Sequence, residues 1–169
     1  MEYKVVFSKR RTVGITVKDG EVTVRAPHGT PSRIIEKAVT QHAEWIEKAL
    51  AKQEKKREMI SSLTDADIAA LKKNAKRVLK QKTEEFSKMM GLKYGRITIT
   101  SAKTRFGSCS SKGNISYSYR LMLYPEEAID YVVVHELAHL VEMNHSKRFY
   151  AIIEHIFPDY KRRAAMLKP

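Results

Sequence analysis

The segment His135-Glu136-Leu137-Ala138-His139 has the residue types and spacing of a metal site that activates water. On a helix, a spacing of four residues places His135 and His139 one turn apart on the same face, where two imidazoles can bind one zinc ion. Glu136 lies about 100° around the helix from His135, so its carboxylate reaches a zinc-bound water rather than the ion itself. The pattern predicts a zinc-dependent hydrolase in which Glu136 is the catalytic general base.

A catalytic zinc ion needs a third protein ligand and one open coordination position. His145 is the leading candidate, because Asn144 before it can adopt the left-handed conformation that ends a helix and turns the chain back. Three alternatives stay open: His145 is a surface residue beside a helix cap, Glu142 is a ligand from the same helical face, or Glu154 is a ligand from the following helix.

The helix that carries these residues is predicted to begin at Pro125 and to be buried. Proline in the first turn and two acidic residues after it are typical of a helix start. Its apolar face is formed by Ile129, Val132, Val133, Leu137 and Leu140. Burying two histidines and a glutamate beside such a face costs free energy, which favours a functional role for them.

The remaining elements predict an α+β fold. Residues 2–26 have the alternation of short antiparallel strands, with a hairpin turn at 18–20, and a long helix starts after Thr30. A second long helix runs from Thr64 to about Gly91, and two strands follow at 96–100 and 115–123. Residues 146–168 are predicted to be helical with a break at Pro158. We predict an N-terminal β-meander with a long helix over residues 1–60 and a metal-binding catalytic core over 61–169.

Composition narrows the classes of protein. Lys and Arg number 32 against 19 Asp and Glu, a net charge of +13, which favours anionic partners such as nucleotides or nucleic acid. Basic residues without an intervening acid recur at Lys72, Lys73, Lys76, Arg77, Lys80 and Lys82. The only cysteine cannot form an internal disulfide, and no apolar run is long enough for a transmembrane helix. With no apolar signal segment at the start, a cytoplasmic protein without a membrane partner is expected.

Longer stretches of the chain resemble the YgjP-like zinc metallopeptidase family, which is related to SprT-like proteins. The resemblance is carried by residues 105–115, 120–121, 125, 130–140 and 144–150, with weaker matches at 22–27 and 41–46. Phe106 stands where that family usually has tryptophan. The spacing of the three histidines also occurs in metzincins, but Glu142 replaces their glycine and no Met-turn is evident.

This resemblance implies that His135, His139 and His145 are ligands of Zn²⁺ and that Glu136 is the catalytic acid/base. It also implies a zincin-like core, in which a small sheet lies over the motif helix and an edge strand pairs with an extended peptide. The loop 108–113 and the strand 115–123 are the candidates for that edge.

Other side chains near the motif have two interpretations each. Cys109 is expected to be a packed cysteine, since a fourth protein ligand would close the catalytic position. Arg105 and Arg120 either contact an anionic substrate or developing oxyanion, or form surface ion pairs. Tyr150 is an oxyanion donor or a packing residue of the last helices.

The predicted function is peptide or protein hydrolysis by a zinc metallopeptidase. Three alternatives remain: the UTP pyrophosphatase activity that has been attached to YgjP-like proteins, a nucleic-acid-associated SprT-like protease that uses the basic helix 72–82, and a non-catalytic binding module stabilised by zinc. The basic surface makes nucleotides and nucleic acid the alternative partners.

Overall fold

The computed structural model of the protein describes residues 1–167, apart from the side chain of Lys56. The chain divides into two compact units, Met1–Leu63 and the residues from Thr64 onward. The predicted division into domains of residues 1–60 and 61–169 stays a prediction. In the part of the chain that the structure describes, no helix is long and apolar enough to cross a membrane.

The first unit is a three-stranded sheet with two helices. Its elements are β1 (Lys4–Ser8), β2 (Gly14–Lys18), β3 (Glu21–Pro27), α1 (Ser32–Gln41) and α2 (Ala43–Ser61). β2 and β3 form the predicted antiparallel hairpin, and Asp19 and Gly20 both have positive φ in its two-residue turn. β1, in contrast, pairs parallel with β3, so the strand order is β1-β3-β2. The sheet is therefore not the meander of consecutive antiparallel strands that we predicted.

The single long helix predicted after Thr30 is two helices. α1 ends at Gln41 and α2 begins at Ala43, because His42 between them has non-helical angles of φ −109° and ψ 12°. Apolar periodicity continues through this junction without proline or glycine, so no local pattern indicates a break. The buried residues of this unit are Val22, Val24, Ala26, Ile35, Val39 and Ile46.

The second unit contains the metal-site motif. Its elements are α3 (Asp65–Met90), β4 (Ile97–Thr100), β5 (Gly107–Cys109), β6 (Ile115–Ser118), a 3₁₀ helix (Tyr119–Leu123), α4 (Glu126–Ala138), α5 (Lys147–Ile156) and α6 (Tyr160–Ala165). A capping box of Thr64 and Asp67 opens α3, and Gly91 in the left-handed conformation ends it, as the sequence indicated.

The strand predicted over 115–123 is shorter and lies elsewhere in the sheet than expected. It ends at Ser118, whose hydroxyl accepts a hydrogen bond from the Arg120 amide at 3.4 Å and caps the 3₁₀ helix that follows. β6 is the central strand, parallel to β4 and antiparallel to β5. The prediction of 115–123 as a substrate-binding edge is therefore wrong, and β5 is the edge strand next to α4.

The core of the second unit packs the small sheet and α3 against α4. Ile115 and Tyr117 of β6, Leu79 of α3 and Val133 of α4 are completely buried. The Tyr117 hydroxyl lies 3.0 Å from the Thr83 hydroxyl, which satisfies both polar groups inside this core. The predicted fold class, an α+β protein with a small sheet over the motif helix, is confirmed.

Candidate metal centre

Helix α4 carries His135 and ends immediately before His139, and eight of its thirteen residues are apolar and buried. The interior run of Ala128, Ile129, Val132, Val133, Val134 and Leu137 fixes the helix in the core. His135 therefore lies in its last turn, and His139 comes directly after its last residue. Their ring centroids are 5.0 Å apart. One buried helix thus holds both imidazoles in a fixed relation.

His145 returns to this pair from the connection between α4 and α5. Its Nε2 lies 3.2 Å from Nε2 of His135, and one ring nitrogen from each of the three histidines falls within 4.8 Å of the others. Two nitrogens bound tetrahedrally to one zinc ion at 2.0–2.1 Å would be about 3.3 Å apart. The structure therefore brings all three predicted ligands together at a spacing that suits one metal ion.

The turn that returns His145 differs from our prediction. Within the described residues, Asp19 is the only non-glycine with positive φ, so Asn144 is not left-handed. The chain instead leaves α4 through tight turns in which the amides of Val141 and Glu142 both donate to the Ala138 carbonyl. The Ser146 hydroxyl then accepts from the Phe149 amide at 3.3 Å and starts α5. These ordinary turns reverse the chain without a left-handed residue.

One aromatic ring packs against all three imidazoles. The buried Phe149 ring has its centroid 4.5 Å from that of His139, 4.8 Å from His145 and 4.9 Å from His135. Tyr150, the next residue, stacks between His145 and Tyr160 at centroid distances of 6.3 and 5.8 Å. Tyr150 is thus a packing residue in this structure, one of the two interpretations of its role.

His135 and His139 each have a hydrogen-bonding partner near Nδ1. Nδ1 of His139 lies 3.2 Å from the Glu142 carbonyl and can donate to it, and Nδ1 of His135 lies 3.4 Å from the Tyr131 hydroxyl. These partners leave the Nε2 lone pairs for a metal ion. Among the described residues, the group that could hold a metal consists of the three histidines, without Glu142 or Glu154.

Glu136 is buried beside the histidines without a compensating partner. Its residue is 5% exposed, and no described residue makes a hydrogen bond to its Oε2. Gly107 of β5 lies against this side chain, and a Cβ at that position would overlap Oε1 and be 2.7 Å from Cδ. Burial raises the pKa of the Glu136 carboxyl to about 7, and the positive charge of Arg105 acts in the opposite direction.

The histidines are electrostatically suited to bind a cation. Burial lowers the pKa of His135 to about 4, and the neighbouring His139 and His145 lower it further. Burial also lowers the pKa of His139. Both shifts favour the neutral form of the imidazole, which is the form that binds metal.

The group opens into a cleft of about 310 Å³ that is walled by the edge strand β5. Its lining is Arg105, Gly107, Ser108, Cys109, His135, Glu136, His139, Met143 and His145.

Cys109 is half-buried, its thiol is 3.5 Å from the Ser110 carbonyl, and it does not join the histidine group. Arg120 does not line the cleft, and its guanidinium lies 5.9 Å from the Tyr119 ring. Of the two arginines considered from the sequence, only Arg105 lies at the site.

Sequence reasoning missed Gly107, Tyr131 and Phe149 as parts of this site. Gly107 lies outside the strands predicted from the sequence, so its close approach to the Glu136 side chain had no local signal. Tyr131 lies one helical turn before His135, a spacing that allows contact, but the same spacing is common between core residues.

A comparison with protein families identifies the chain as a member of the YgjP-like metallopeptidase family. The family model described as "YgjP-like, metallopeptidase domain" matches residues 11–68 and 62–169, which is nearly the whole chain. The chain therefore belongs to this family, and the resemblance stated from its motifs is confirmed.

Two solved structures are similar to parts of the chain. The metallopeptidase zymogen of Pyrococcus abyssi abylysin is 26% identical, with a TM-score of 0.46 over 50% of this chain and 87% of that one. The metallopeptidase zymogen of Methanocaldococcus jannaschii jannalysin is 23% identical, with a TM-score of 0.42 over 47% and 81%. No curated protein matches the chain significantly.

Proposed function

We propose that this protein is a zinc-dependent peptidase in which Glu136 is the general base and acid. The observation that carries the proposal is the convergence of three histidine nitrogens within 4.8 Å beside a buried, unpartnered carboxylate. Membership of a metallopeptidase family supports the same conclusion. The family match alone states neither the metal ion, nor the role of Glu136, nor the substrate, and these are the parts that we propose.

The donor set fits zinc better than it fits magnesium or calcium. Neutral imidazoles are good ligands for zinc, whereas magnesium and calcium prefer oxygen ligands such as carboxylates. Three protein ligands also leave the fourth tetrahedral position open, as in catalytic zinc sites. Zinc held by His135, His139 and His145 would supply a Lewis acid that polarises the substrate carbonyl and acidifies water.

The position of Glu136 suits proton transfer rather than metal binding. It follows His135 directly, so it lies on another side of α4 from the histidine face and joins the cleft wall under Gly107. Its buried Oε2 accepts no hydrogen bond from any described residue, so this oxygen is available to a proton. Glu136 can therefore take a proton from the attacking water and then deliver it to the leaving amine.

The cleft favours a peptide over a nucleoside triphosphate. Strand β5 is the outermost strand beside the histidines, and an extended peptide can add to such an edge through main-chain hydrogen bonds. Cleavage of a phosphoanhydride usually relies on a phosphate-binding loop, with carboxylates and phosphates that hold magnesium. Arg105 is the only Lys or Arg residue in the cleft lining and Glu136 the only carboxylate.

The decisive experiment assays the zinc-loaded wild type, Glu136→Gln and the exposed control Glu154→Gln side by side. The substrates are mixed peptides, an unfolded protein and UTP. Glu136→Gln should keep its zinc and lose peptide hydrolysis by about a hundredfold or more, the usual scale for loss of a general base. Glu154→Gln should behave like the wild type. Full activity of Glu136→Gln would contradict the mechanism, and pyrophosphate release from UTP that requires Glu136, with no peptide cleaved, would contradict the substrate class.

A further inference from the structure

A second cavity of about 90 Å³ adjoins the metal cleft along strand β5. Arg105, Gly107 and Ser108 line both cavities, so the two cavities are neighbours along this segment. The rest of the smaller cavity is formed by short side chains of β4, β6 and the residues that follow β4. A substrate that lies along β5 over the histidines would therefore also reach this cavity.

The hydroxyl groups of the cavity fall into two sets. Thr100 donates to the Tyr117 carbonyl at 3.3 Å and Ser118 donates to the Ala102 carbonyl at 2.8 Å, so both protons are used within the protein. Ser108 and Ser116 are opposite each other on β5 and β6, and neither hydroxyl has a hydrogen-bond partner among residues 1–167. Two hydroxyl donors are therefore free to bind a ligand.

Arg105 supplies an unpaired positive charge at the same place. No described residue forms an ion pair or hydrogen bond with its guanidinium, although ten ion pairs of a lysine or arginine with an acid occur elsewhere in the described chain. Its charge acts on Glu136, which lines the metal cleft but not the smaller cavity. The cavity thus combines a free guanidinium with two free hydroxyls and contains no acid of its own.

We propose that Arg105, Ser108 and Ser116 form a subsite that binds a carboxylate of the substrate. A guanidinium presents two parallel N–H donors that match the two oxygens of a carboxylate, and hydroxyls can donate to the same oxygens. A volume of about 90 Å³ accepts such a group but not a nucleoside. This inference rests on the proposed peptidase function, and it specifies that function as selective for peptides with a nearby carboxylate.

The carboxylate can come from an acidic side chain or from the C-terminus of the peptide. Three series of peptides of equal length separate these sources: one with a glutamate scanned along the chain and an amidated C-terminus, one neutral with a free C-terminus, and one neutral and amidated. Preference for the first series indicates recognition of a side chain, and preference for the second indicates recognition of the C-terminus.

The test compares Arg105→Met with Lys103→Met. Lys103 is exposed on the same segment and lines neither cavity, so its loss changes the net charge equally. The wild type should favour one carboxylate series over the neutral amidated series, and Arg105→Met should reduce that preference by about tenfold to a hundredfold, the range for a hydrogen bond to a charged group. Ser116→Ala should reduce it less, and Lys103→Met should keep it. Zinc content should be the same in all four proteins.

Binding to the Glu136→Gln protein separates failure of this inference from failure of the proposed function. Calorimetric titration of the zinc-loaded variant with the same peptides needs no cleavage. Tighter binding of a carboxylate series that is lost with Arg105→Met supports the subsite even if no peptide is hydrolysed. Equal binding of all series, no binding of any, or equal losses in Arg105→Met and Lys103→Met would overturn it.

Discussion

The carboxylates at the two ends of helix α4 differ in whether they are paired with a cation. In the first turns, Glu126 and Asp130 both lie 2.6 Å from the Lys82 ammonium, and Glu127 lies 2.6 Å from the Arg162 guanidinium. In the last turn, Glu136 is more deeply buried than any of these and has no ion pair. Helix α4 therefore contains three acids that form ion pairs and one buried acid that forms none.

The pKa values of the three glutamates of α4 differ between its two ends in the same way. Hydrogen bonds from Lys82 and from Arg162 lower the pKa of Glu126 and of Glu127, respectively, whereas burial raises the pKa of Glu136. An uncompensated buried carboxylate costs free energy, and a salt bridge would remove its ability to exchange a proton near neutral pH. Pairing with a cation, rather than residue type, therefore distinguishes the structural acids of α4 from Glu136.

The largest effect is expected at the histidine end of the helix. His139→Ala should weaken zinc binding on the order of a thousandfold, because one of three ligands is lost from a site whose total binding energy exceeds ten kcal/mol in comparable zinc proteins. His145→Ala should also weaken it severely. Zinc titration in competition with a chelator measures both changes, and the exposed His155→Ala is the control. Full zinc retention in His145→Ala would remove this residue from the ligand set.

A smaller effect, on stability alone, is expected at the N-terminal end of α4, where Lys82 of α3 pairs with Glu126 and Asp130. Lys82→Met leaves Asp130, whose side chain is 18% exposed, without its cation, and should reduce the free energy of unfolding by about 2–4 kcal/mol. Lys80→Met is the control, because Lys80 is exposed on α3, the helix that also carries Lys82. This substitution should change the free energy of unfolding by less than about 0.5 kcal/mol. Urea unfolding measures both. If Lys82→Met retained full stability, or lost zinc affinity with its stability intact, the contrast between the two ends would fail.

Sequence reasoning succeeded where spacing along one helix determines the geometry, and failed where distant segments meet. The spacing of His135, Glu136 and His139 and the caps of α3 are local, so they predicted the motif helix and the bounds of α3. The parallel pairing of β1 and the central place of β6 are long-range choices that alternation of apolar residues does not encode. The contact of Gly107 with Glu136 also joins two elements, and no local pattern could specify it.

The smallest effect concerns the support of His135. Tyr131→Phe removes the hydroxyl that lies 3.4 Å from Nδ1 and keeps the ring, so zinc affinity should fall about tenfold, at the low end for loss of a group that orients a metal ligand. Nitrogen NMR of His135 in the metal-free protein should show a less uniform tautomer. Tyr3→Phe, in the other unit, is a matched control. Unchanged affinity and tautomer would show that the tyrosine only fills space.

The X-ray absorption spectrum of the protein loaded with one equivalent of zinc tests whether the three histidines form an open zinc site. We expect three imidazole ligands and one further light atom at about 2.0–2.1 Å, with no sulfur. The further atom reports the open position on which hydrolysis depends. A zinc–sulfur distance of about 2.3 Å would identify Cys109 as a ligand and a closed, structural site, and would contradict the account.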